Sequence, residues 1–111
     1  MNQDVYIIPR SGTVRQANAT RHYILDEHGK IQFCLRGAKS DQVVREPRKR
    51  GLRYHVKIYR SNKGHTYLSV FDVFNGGKEV FHWSDSHGVK ELLDNKLLSE
   101  VVARERLITA V

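Results

Sequence analysis

The chain has one cysteine, Cys34, and two prolines in 111 residues. A single thiol excludes an internal disulfide framework, and with it the small folds that depend on one. No stretch approaches the ~18 consecutive apolar residues of a membrane span. The start, Met-Asn-Gln-Asp-Val-Tyr-Ile-Ile-Pro, lacks the basic flank, long apolar stretch and small-residue cleavage site of a secretory leader. Together these absences predict a protein of the reducing cytoplasm with no membrane partner. Signatures of chemistry are missing too. There is no Walker loop, no Rossmann glycine set and no G-x-S-x-G elbow. The six histidines are not at zinc-ligand spacings, the nearest pairs being His22 with His28 and His82 with His87. No cofactor and no metal site is expected.

Acidic residues are scarce in one half only. Residues 1–60 hold 13 Lys/Arg against 5 Asp/Glu, whereas residues 61–111 hold 6 against 7. The whole net charge of +7 thus resides in the first half, a distribution that suits an acidic partner. The apolar content of 40% and charged content of 28% are those of a folded domain. The length allows one domain spanning 1–111, built on one core.

The hydrophobic pattern predicts an α+β fold. Val5–Ile8 is a short β-type run stopped by Pro9. Arg21–Asp26 and Lys30–Arg36 flank Glu27-His28-Gly29 as an N-terminal hairpin. In its second strand Ile31, Phe33 and Leu35 are expected on the buried face, and Gln32, Cys34 and Arg36 on the outer one. Residues 37–53 carry little apolar period and many charges, which predicts an exposed, mobile basic loop. A three-stranded meander follows: Tyr54–Arg60, Thr66–Phe74 and Glu79–Trp83, with Asn75-Gly76-Gly77 as the second turn. Val89, Leu92, Leu93, Leu97, Val101 and Val102 recur at spacings of three and four. They mark one C-terminal amphipathic helix packed on a mostly antiparallel sheet, with Asp94-Asn95 able to split it. Its stripe is wider than one buried face needs. With Leu107, Ile108 and Val111 it suggests a homodimer surface.

The functional signal lies between Arg45 and Lys63. Arg45, Arg48, Lys49, Arg50, Arg53, Lys57, Arg60 and Lys63 are opposed in that stretch only by Glu46. Arginine suits phosphate because its planar fork donates parallel hydrogen bonds and is weakly hydrated. The alternation of 54–60 places His55, Lys57 and Tyr59 on one strand face, able to stack a base and hold its phosphate. These ten residues predict a non-enzymatic nucleic-acid interface, with DNA slightly favoured over RNA. Two alternatives use the same residues. An acidic protein surface would meet the charges equally well, making the chain an interaction module or inhibitor. A small basic ribonuclease would use His55 as acid or base, with His65 as its partner across the hairpin. Asp72 is expected at the sheet surface, and Cys34 as an incidental outward thiol.

Overall fold

In the computed structural model, residues 5–7, 21–36, 43–45 and 51–107 are described, with the backbone alone at 5–7, 35–36 and 43–45. Strands β1 (Val5–Ile7) and β4 (Val43–Arg45) pair antiparallel as a two-stranded ribbon. Strands β2 (Arg21–Asp26), β3 (Ile31–Arg36), β5 (Leu52–Arg60), β6 (Thr66–Asp72) and β7 (Lys78–Ser84) form the main sheet in the order β3-β2-β5-β6-β7. Every neighbouring pair is antiparallel. Helices α1 (Lys90–Asp94) and α2 (Ser99–Glu105) follow β7. The α+β architecture read from the sequence is the one observed.

The turns form where local chemistry favours them. At the β2–β3 hairpin the Asp26 carboxylate accepts the N–H groups of His28 and Lys30, both at 2.9 Å. Gly29 closes that turn with φ +83°, and a Cβ there would lie 2.3 Å from the Leu97 carbonyl oxygen. Glycine thus serves two ends at once: it takes the left-handed conformation, and it lets the hairpin approach the C-terminal segment. After β6 the Asp72 carboxylate accepts the Phe74 N–H at 3.1 Å, starting a 3₁₀ turn over Val73–Asn75.

One face of the sheet carries the main core. Tyr23, Leu25, Val56, Ile58, Leu68, Val70 and Trp83 pack there against Leu92, Leu98 and Val101. The Trp83 indole N–H, which burial would otherwise leave unpaired, donates to the Gly88 carbonyl at 2.6 Å. The alternate residues His22, Ile24, His55 and Ser69 point to the other face and are buried as well. The central strands are therefore covered on both faces, where the alternation predicts burial on one.

Four expectations are corrected. Residues 37–53 are not one loop: Val43–Arg45 is a strand, and β5 begins at Leu52, two residues early. The register of β2 against β3 shifts between Ile24 and Leu25, a bulge that reverses which side chains face inward. Ile31 packs against the core as expected, but Cys34 joins it there while Phe33 is exposed. Asp72 is buried, its charge met by Arg53 at 3.4 Å. Finally, the C-terminal period does not make one helix. Asn95 takes an extended conformation (φ −90°, ψ 95°), and its side chain accepts the Leu97 N–H at 3.1 Å. A 3₁₀ turn over Lys96–Leu98 then leads into α2. Leu92, Leu98 and Val101 are consumed by the core, and Leu97, Val102 and Leu107 pack at its edge, so only Val89 and Leu93 of this stripe stand exposed. Ile108 and Val111 lie outside the described residues.

Candidate nucleic-acid interface

The residues chosen from sequence do not share one surface. Arg48, Lys49 and Arg50 lie outside the described residues, as does the side chain of Arg45. Arg53 sits on the sheet rather than in solvent. Its guanidinium is ion-paired with Asp72 and lies over the rings of Tyr54 and Phe74, 5.2 and 5.5 Å from their centroids. That environment holds it as a structural group.

His55, Lys57 and Tyr59 do share a strand face, but it is not an open one. His55 is fully buried, and its Nε2 lies 2.9 Å from Nδ1 of the buried His22. One ring must donate this bond and the other accept it, so the accepting ring is neutral when the bond forms. Burial, then the partner histidine, then Lys57 push the pKa of His55 down to about 3. Burial and Lys57 take His22 to about 4. His65 is not near this pair. It occupies the β5–β6 turn, six positions past the His55 register, and its Nδ1 contacts Asp85 at 3.2 Å. The two histidines that a ribonuclease would use are thus not brought together.

Along the same face, Lys57 Nζ lies 5.1 Å from the Tyr59 ring centroid, and burial lowers its pKa. Tyr59 stacks on Tyr67 with centroids 5.1 Å apart, and Tyr67 in turn stands 6.3 Å from His82. These rings spend much of their stacking surface on one another.

Among the described residues an open basic surface lies elsewhere, at the end of the sheet where β2 starts, β5 ends and β6 starts. A cleft of about 400 Å³ opens there between the strand ends and the end of α2. Arg21, Arg60, Arg104 and Arg106 line it, with Thr66, Ile58, Leu107 and Glu105. Of the ten residues read from the sequence, Arg60 and Tyr59 line this cleft, and Lys63 is exposed in the adjoining turn.

Among the described residues Glu105 is the one carboxylate lining the cleft, and both its oxygens are engaged. One meets Arg21 Nη1 at 3.3 Å, and the other accepts the Tyr23 hydroxyl. Burial and then this bond raise the Tyr23 pKa, so the phenol stays protonated and donates. Arg21 is thereby neutralised. Arg60, Arg104 and Arg106 are exposed, and none has a carboxylate within ion-pair distance among the described residues. At the margin stands Asp85, whose carboxyl is held below its ordinary range first by the Thr66 N–H, then by His65 and Arg60.

Arg104 and Arg106 escape a charge-based reading because they flank Glu105 in a half of the chain whose balance is slightly acidic. Arg21 reads as the opening residue of a strand. Only the closing of the sheet against α2 brings these cations together. No family model, no curated protein and no solved structure matches the chain, so the interface is defined by its own geometry.

Proposed function

We propose that the protein binds nucleic acid by gripping the sugar–phosphate backbone at the basic end of its sheet. One observation carries this reading: three exposed guanidiniums, none within ion-pair distance of a carboxylate among the described residues, converge on a single cleft. Like charges gathered in one place repel, which weakens the fold unless an anion occupies the space between them. Phosphate fits because the guanidinium fork matches two of its oxygens. Lys63 extends the same positive field into the β5–β6 turn, and the basic balance of residues 1–60 adds to it. DNA and RNA present the same backbone chemistry to such a site.

Binding through Arg60, Lys63, Arg104 and Arg106 makes about four phosphate contacts, so log affinity is expected to fall with log salt at a slope of roughly −3 to −4. Fluorescence anisotropy with labelled oligonucleotides over a salt series measures it. A slope near zero, or no binding to either DNA or RNA, rejects the reading. An acidic protein partner would instead survive nuclease treatment of the bound fraction.

A further inference from the structure

Resting on that reading, we infer that the cleft seats one nucleotide of an unpaired strand, rather than the backbone of a duplex. Its donors come from opposite walls. Arg60 belongs to the strand ends, and Arg104 and Arg106 to the end of α2, while Arg21 is held by Glu105. An anion reached from both walls must enter the space between them. The cleft volume, about 400 Å³, is that of a single-nucleotide recess. A flexible strand turns one nucleotide inward to fill such a space, whereas a duplex holds its phosphates on a stiff, broad ridge. The lining suits a whole nucleotide: cations for the phosphate, the Thr66 hydroxyl for a polar edge, and Leu107 for the sugar and base.

Arg106 supplies an independent observation. It closes α2 with φ 52° and ψ 41°, and it is the one non-glycine residue at positive φ among the described residues. The hydrogen bonds are those of a left-handed helix stop: the Arg106 N–H donates to Ala103 and the Leu107 N–H to Val102, at 3.3 and 3.2 Å. Glycine is the usual occupant of this position, since a Cβ there crowds the following carbonyl. The six other positive-φ residues described are all glycines. Here the chain carries an arginine that lines the cleft instead. Strained positions of this kind gather at binding sites, where the side chain has a use that the backbone alone does not explain.

The test is Arg106→Gly. Glycine relieves the backbone, so Tm is expected to hold or to rise by a few degrees. Affinity for a labelled oligothymidylate is expected to fall roughly fourfold at about 0.15 M salt, and the salt slope to flatten by about 0.7, the loss of one single-strand contact. Arg104→Gln, on the exposed side of α2, should reproduce the loss. A duplex of equal length should bind more weakly than the strand and be little changed by either substitution. Thymidine monophosphate should compete, but more weakly than the strand. Unchanged strand affinity in Arg106→Gly, equal losses on strand and duplex, or a monophosphate that binds as tightly as the strand would each overturn the single-nucleotide site while leaving backbone binding in place. Failure to bind any nucleic acid would remove both.

Discussion

Acidification from about pH 7 to about pH 5 is expected to remove roughly 4 kcal/mol of folding stability, because two neutral histidines are buried against each other. The free imidazole takes a proton near 6.5, whereas His22 and His55 in the fold do so only near 4 and 3. Between those limits the unfolded chain binds more protons than the folded one, so stability falls as pH falls. It is fully present above about 6.5, and each unit below costs ~1.4 kcal/mol per ring until the folded rings themselves protonate. Protonation of both rings also breaks the 2.9 Å bond between them, since two imidazolium rings have donors only. A typical domain holds about 5–15 kcal/mol in total, so the transition should lie in mildly acidic solution. Urea unfolding followed by circular dichroism across this range measures the slope. A stability that is flat from neutral to mildly acidic pH would mean that the buried pair does not titrate as its setting requires.

That pair also shows how far the sequence can be read. The alternation of 54–60 correctly puts His55, Lys57 and Tyr59 on one face, because side-chain direction in a strand follows a period of two whatever surrounds it. Burial is not local in this way. Whether the polar face of a strand meets water depends on what else in the chain covers it, and His22 and His55 are buried on the face that polarity marks as outer. The turns were legible for the opposite reason: Asp26, Gly29, Gly76 and Gly77 act through their own backbone and near neighbours. The β2–β3 bulge was not, since one slipped residue reverses the roles of Phe33 and Cys34 without altering the composition of the run.

The candidate site divides along the same line. Arg60 and Lys63 were visible because they belong to a run of cations. Arg21, Arg104 and Arg106 were not, because what unites them is the docking of α2 against the strand ends, across more than eighty residues of chain in the Arg21–Glu105 contact. The sequence also cannot say which cations are already matched. Arg53 counts the same as Arg60 in any tally of charge. In the fold one is held by Asp72 while the other faces a cleft.

Glu105→Gln separates the stability of this end of the sheet from its affinity, and is expected to move them in opposite directions. The Glu105 side chain is only 8% exposed and holds two partners, Arg21 and the Tyr23 hydroxyl. An amide oxygen can still accept from the phenol, but the charge that neutralises Arg21 is lost. Removing one partner of a largely buried ion pair should cost about 2–3 kcal/mol, read as a fall in Tm of about 10 °C or more for a domain of this size. The same change frees the Arg21 guanidinium at the cleft. One added phosphate contact should strengthen binding roughly three- to fivefold at about 0.15 M salt and steepen the salt slope by about 0.7–0.9. Tyr23→Phe is the matched control. It removes a bond to Glu105 and so lowers stability, but it leaves the Arg21–Glu105 pair and the charge of the cleft intact, so affinity should stay where it is. A Glu105→Gln protein that binds more weakly than the parent would mean that Glu105 positions Arg21 for the ligand, and that orientation outweighs net charge in this cleft. Tighter binding in that variant, with unchanged binding in Tyr23→Phe, would identify the field of the arginines as the source of affinity.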